Sequence, residues 1–264
     1  MVLETISFEK AVSLAAPLAK KLFVKHILPV AKSRASKFFR IKYAEGKFEL
    51  ASTRYLARVA GQCSILNTIA FQNAPKALAE LYVPLTIESR DRPIQYRVDD
   101  QADIFAQSRH VLVNDTAGMG KSTLAKKVVS NILNGGKSVP IFIEMHQVGA
   151  QKIEEQVLDL FGLPHDLGAD FLNSLPLVYV FDGLDEVPAE LKPKVVKHLQ
   201  AFVELVDAAP VLITTRRETF LSEFYDFAHC AIRPLAGELR QYSRLVRGYR
   251  FPDFSRQYRA RGIA

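Results

Sequence analysis

The sequence predicts a three-layer α/β domain around a parallel five-stranded sheet, preceded by a smaller α-helical region. Three observations carry this prediction. From His110 onward, short apolar runs alternate with longer stretches of helical period, the pattern of buried parallel strands joined by crossover helices. A glycine-containing turn stands where the first of these strands meets the first of these helices. Before that point, apolar residues recur near a 3.6 period instead.

In chain order, Phe8, Val12, Ala15, Leu18, Leu22 and Ile27 mark a first helical face, which Pro17 and Pro29 are expected to kink or divide. A second helical pattern runs from Leu50 to Phe71, followed by a turn at Asn73-Ala-Pro75 and a short helix ending near Glu80. Tyr82 to Glu88 reads as a strand or extended segment, and Ser89 to Pro93 as a loop. The five strands are expected at His110 to Asn114, Val139 to Met145, Leu177 to Phe181, Pro210 to Thr214 and His229 to Ile232. Between them, helices are expected at Lys121 to Asn134, Lys152 to Phe161, Ala189 to Leu205 and Glu218 to Tyr225. The chain thus divides into a helical region (1–80), an extended linker (81–108), a core (109–236) and a basic tail (237–264).

Charge is placed unevenly. The net charge is +7, with +6 on residues 1–50 and +6 on residues 239–264, so the middle carries −5. Basic ends suit phosphate, acidic lipid or acidic protein, or simply form solvated helix faces. No nucleic-acid motif or run of interleaved aromatics accompanies them, which argues against a nucleic-acid partner. Phe38-Phe39 in a basic stretch leaves only a weak case for membrane association. Cys63 and Cys230 are far apart in apolar surroundings, so neither a disulfide framework nor a zinc site is expected, and a reducing cytoplasm fits. Neither a signal peptide nor a membrane span is evident.

The chemistry concentrates at the ends of the predicted strands. The run Asp115-Thr-Ala-Gly-Met-Gly-Lys-Ser-Thr123 follows a strand and opens a helix, the context a phosphate-binding P-loop requires. Backbone N–H groups from Thr116, Ala117, Gly118, Met119 and Gly120 onward can wrap a phosphate at the helix's positive end. Lys121 would reach the β- and γ-phosphates, Ser122 would coordinate Mg²⁺, and Thr123 would add an α-phosphate contact. Asp115 takes the position of the first glycine of this pattern, and Asn114-Asp115 is expected to make the turn by visiting left-handed backbone angles. The strand Leu177 to Phe181 runs into Asp182-Gly-Leu-Asp-Glu186, where Asp182 would hold Mg²⁺. Asp185 and Glu186 would orient or deprotonate an attacking water, the alternative being that they only favour a helix start. Arg216, at the end of Leu212-Ile-Thr-Thr215, would read the γ-phosphate, with Arg217 as an exposed neighbour.

Together, the segments AGMGKST, VPIFIEM, LVYVFDGLDEVP, VLITTRRE and AIRPL resemble the NACHT family of STAND signalling NTPases, over about Leu81 to Tyr249. The small Gly183 after the metal-binding Asp182, with acidic residues three and four places on, is the most specific mark. The resemblance implies an ATP-driven switch with Mg²⁺ as cofactor, exchanging ATP and ADP. It also implies assembly with itself or a protein partner, often in innate immunity or bacterial anti-phage defence. A residue pair ahead of the domain touches adenine in that family, and Tyr82-Val83 is similar in kind. Family members continue into a lid, a winged helix and a sensor after the segment matching RPLAGELRQYSRLVRGY, for which Arg250 to Ala264 leaves no room. A minimal module, a truncated product and a regulator of a longer relative are the alternatives. Two readings follow: a slow ATPase switch, or a nucleotide-binding module that hardly turns over.

Overall fold

The computed structural model describes residues 42–66, 76–91, 93–99, 103–165, 168–217 and 222–234, with scattered positions between 13 and 29. The expected first helical face, the turn at Asn73-Ala-Pro75 and the basic tail lie outside the described residues, as does Phe71. The elements are α1 (Lys42–Cys63), β1 (Ile65–Leu66), β2 (Lys76–Ala77), α2 (Leu78–Leu81), β3 (Leu85–Ser89), β4 (Gln95–Val98) and β5 (His110–Asn114). There follow α3 (Lys121–Gly135), β6 (Val139–Glu144), α4 (Ile153–Leu160), α5 (Gly168–Asn173), β7 (Leu177–Asp182), α6 (Lys192–Leu205), β8 (Val211–Thr215) and β9 (Ala228–Ile232).

The central sheet has seven strands in the order β4-β3-β9-β5-β8-β7-β6, not five. The five expected strands are all present and pair in parallel. The two additional strands form an antiparallel hairpin, β3 with β4, and β3 also runs antiparallel to β9. These two occupy the segment expected to be a linker. Their half-polar pattern, LTIES and QYRV, is that of strands at the sheet margin, which lack the continuous apolar run of a doubly covered strand. By contrast β7 and β8 are buried at every position, as strands covered on both faces must be.

The helical pattern after Leu50 ends at Cys63, and the chain turns there into β1, which pairs with β2. Helix α1 is also less separate than its sequence position suggests. Tyr55, Leu56, Val59 and Cys63 belong to the same core as the sheet. The Tyr55 hydroxyl donates to the Pro140 carbonyl at 3.4 Å and accepts the Phe142 N–H at 2.8 Å, fastening the helix to β6. At the expected last helix, the described residues hold only a 3₁₀ turn, Ser222–Phe224.

Two links between sequence and packing position the site. The chain leaves β5 for the far margin at β6, steps back through β7 to β8 beside β5, then crosses to β9 on the other side of β5. In such sheets the crevice opens at the carboxyl ends of the strands flanking this switch point, here β5 and β8. Tyr179 and Phe181 on β7 each meet the Phe202 ring of α6 edge to face, with centroids at 5.0 and 6.1 Å, and lock α6 to β7. Leu112, on the central strand β5, is wholly buried. Leu112→Ala is therefore expected to cost about 2–5 kcal/mol of unfolding free energy, measurable as a lower urea midpoint with an unchanged slope.

Candidate functional site

Four strand ends meet at the crevice. From β5 the chain passes through Asp115 into the loop and then α3. The loop's left-handed backbone positions are Gly118 (φ 83°) and Gly120 (φ 93°). The left-handed angle favours glycine at 120, and an added Cβ there would also press within 3.2 Å of the Leu85 side chain. Gly120 caps α3 without any side-chain hydrogen bond, and the first turn carries no acidic residue. The helix thus presents its N–H groups and positive end to the loop, an arrangement that favours an anion.

The loop lysine folds back onto its own loop. The Lys121 ammonium donates to the Asp115 and Thr116 carbonyls, both at 2.9 Å. Partial burial lowers its pKa below the ordinary lysine value, against the opposing pull of Asp185 and Asp115. Phosphate oxygens reaching this point would take over the two carbonyl contacts. Asp115 makes its own contacts at the loop entrance. Its N–H extends the β5–β8 ladder to the Thr215 carbonyl at 3.1 Å, and its buried carboxylate accepts the Thr116 N–H and the Ile232 N–H, each at 2.8 Å.

Asp182 ends β7 and is 6% exposed. Its carboxylate accepts the Thr214 hydroxyl at 2.6 Å, and the Ser122 side chain approaches it from the loop. Burial pushes its pKa above the usual carboxylate range, although both hydroxyls favour the charged form. Thr214 in turn accepts the Gly183 N–H at 2.9 Å, fixing the strand end. Gly183 has φ 78°, and an added Cβ would come within 3.0 Å of the Glu186 carboxyl. The residue type at 183 thus follows from both the backbone angle and the approach of Glu186.

The next acids take different partners. Asp185 is paired with Arg216 at 2.8 Å, and its carbonyl accepts the Lys192 ammonium at 2.9 Å. Glu186 is half exposed, 3.6 Å from His146, and its pKa is raised by burial and then by Asp182 and Asp185. Glu144 lies in register with Asp182 on the neighbouring strand and accepts from Gln62 at 2.7 Å and Gln147 at 2.8 Å. Between β5 and β8, the side chains of Asn114 and Thr215 are buried register partners whose amide and hydroxyl atoms have no hydrogen-bond partner among the described residues. Unsatisfied polar atoms at such a point are costly unless a ligand or water meets them.

No family model matches the chain, and no curated protein matches it. The site therefore has to be judged by its own geometry.

The fold brings Lys121, Ser122, Asp182, Asp185, Glu186 and Arg216 to one edge. Tyr82 and Val83 pass nearby, since Leu85 abuts Gly120. Tyr82 is committed elsewhere, however. Its hydroxyl donates to the Val98 carbonyl at 2.7 Å, and its ring is covered by the buried Lys127 ammonium at 5.1 Å from the centroid. It supports β4 and leaves less of its ring for a base than the sequence reading assumed. Sequence reasoning missed Thr214, His146, Glu144 and the Arg217–Asp115 pair at 3.1 Å. A signal existed for the first, because hydroxyl residues at the end of an otherwise apolar buried strand need a local purpose.

Among the described residues no group of three or more His, Cys, Asp or Glu side chains is arranged to hold a metal ion. The donor set at the loop is of another kind, one carboxylate and one hydroxyl. That suits Mg²⁺, which keeps several waters and takes the rest of its ligands from substrate phosphates. No described helix is long and apolar enough to cross a membrane.

Proposed function

We propose that this chain is a P-loop nucleotide-binding protein of the NACHT type, an ATP-binding switch with slow hydrolysis. The observation that carries the proposal is the approach of Ser122 to the Asp182 carboxylate, close enough to favour its charged form, which brings the end of a glycine-turned, uncapped loop to an acidic strand end two strands away. Loop and acid come from separate parts of the sequence, and chance placement of a Gly-Lys-Ser run does not supply that partner.

Bound between Ser122 and Asp182, Mg²⁺ would supply charge neutralisation for the β- and γ-phosphates. The chain's own residues account for the rest. Backbone N–H groups of the loop and the start of α3 bind the phosphates, and Lys121 neutralises the terminal ones. Arg216, with more than half its side chain exposed, is placed at the crevice by Asp185 and can turn toward a γ-phosphate. Glu186 is the better-placed proton acceptor, because Asp185 is already engaged by a guanidinium. Its raised pKa strengthens it as a base at neutral pH. ATP rather than GTP, assembly into oligomers and a place in defence signalling come from the family resemblance alone.

Glu186→Gln is expected to leave nucleotide affinity within about threefold and to slow hydrolysis roughly 10²- to 10⁴-fold, the usual worth of a positioned base. Phosphate release under multiple turnover measures it. Equal rates in both proteins would remove Glu186 from the reaction. The second reading, a module that binds but hardly turns over, is favoured by the Arg216–Asp185 pair, which holds both side chains out of reaction. A wild-type rate no higher than phosphate release in the absence of protein, with binding intact, would select it.

A further inference from the structure

At Asp115 the loop carries a carboxylate where its sequence pattern has a glycine. The side chain is 1% exposed, and it faces donors from three strand ends: Thr116 N–H after β5, Ile232 N–H at the end of β9, and Arg217 Nη2 after β8 at 3.1 Å. The β5–β9 ladder pairs Val113 with Cys230, so the Asp115 side chain meets Ile232 where the next rung would fall. A buried carboxylate beside an anion site is unfavourable twice, through its own loss of water and through repulsion of the anion. The guanidinium of Arg217 answers both. Lys121 attracts Asp115 as well, but its ammonium is bonded to main-chain carbonyls and not to the carboxylate.

We infer that Asp115 and Arg217 form a charge-neutral clamp that fastens the phosphate loop to the ends of β8 and β9, with Arg217 as a positioning residue for anion binding. Its role is to cancel the Asp115 charge so that a triphosphate can enter the loop. The inference rests on the nucleotide-binding reading for its ligand, but the clamp itself exists without one. It also ties the end of β9 directly to the loop, because the Ile232 amide is held by Asp115.

The test is a double-mutant cycle on the full chain, read by titration of a fluorescent ATP analogue with Mg²⁺, together with amide hydrogen exchange of the nucleotide-free protein. Arg217→Gln, at a half-exposed side chain, is expected to lower affinity on the order of tenfold by leaving Asp115 uncompensated. Adding Asp115→Asn removes the charge and is expected to bring affinity back to within about threefold of wild type. A merely structural pair predicts losses that add instead. Additive losses, or an Arg217→Gln variant that binds like wild type, would overturn the charge-cancelling role. In Asp115→Gly without nucleotide, the Ile232 amide is expected to exchange about tenfold faster or more, having lost its acceptor. Unchanged exchange there would overturn the clamp. A wild-type chain that binds no nucleotide while Ile232 exchange still accelerates in Asp115→Gly would overturn the nucleotide reading and leave the clamp standing.

Discussion

Replacing Lys121 with alanine is expected to weaken ATP binding roughly 10- to 150-fold, because a charge-assisted contact to phosphate is worth about 1.5–3 kcal/mol, and the arginines described at this edge would have to leave a carboxylate to replace it. The two candidates are both engaged, Arg216 with Asp185 and Arg217 with Asp115. Folding should survive the change. The lysine's partners are two loop carbonyls at the open edge of the sheet, which water can satisfy once the ammonium is gone. Titration of a fluorescent ATP analogue against both proteins, with matched melting curves, gives the comparison. Equal dissociation constants would exclude Lys121 as a phosphate ligand.

Asp182→Asn is expected to move stability and binding in opposite directions. In the folded, nucleotide-free protein the Asp182 pKa stands above its ordinary value because burial opposes the charge. A folded pKa above the unfolded one stabilises the protein fully below the unfolded value, and that stabilisation is lost as pH rises through the folded pKa. Asparagine carries no charge and keeps an oxygen for the Thr214 hydroxyl. The variant is therefore expected to melt higher than wild type at neutral pH, with the gap closing in acid. Its Mg²⁺-dependent nucleotide affinity should fall about tenfold or more, while affinity in EDTA stays within about twofold. A variant that melts lower at every pH, or loses affinity equally in EDTA, would contradict the role given to this carboxylate.

The two halves of the site were not equally legible. The loop could be read because its glycines, lysine and serine are contiguous, and each residue type follows from a local requirement for a left-handed turn or a phosphate contact. The five parallel strands were legible for a similar reason, since runs such as LVYVFD have no amphipathic alternative. What failed were features that depend on distant partners. Strand β3 falls largely within the segment read as a strand or extended, but β4 and its pairing were not legible, since QYRV alternates weakly and becomes a strand only against β3. Helix α1 looked like part of a separate region because nothing local announces that the Tyr55 hydroxyl will reach β6. The bond from the Ile232 amide to the Asp115 carboxylate, 117 residues away, has no local signal either. The contacts of Tyr82 with Val98 and Lys127 likewise depend on residues far along the chain.

The most direct test of the central reading is titration of the wild-type chain with a fluorescent ATP analogue, in Mg²⁺ and again in EDTA. The reading predicts saturable one-to-one binding that is tighter with Mg²⁺ and is displaced by unlabelled ATP. Absence of saturation up to millimolar nucleotide, or binding unaffected by both Mg²⁺ and competing ATP, would contradict it.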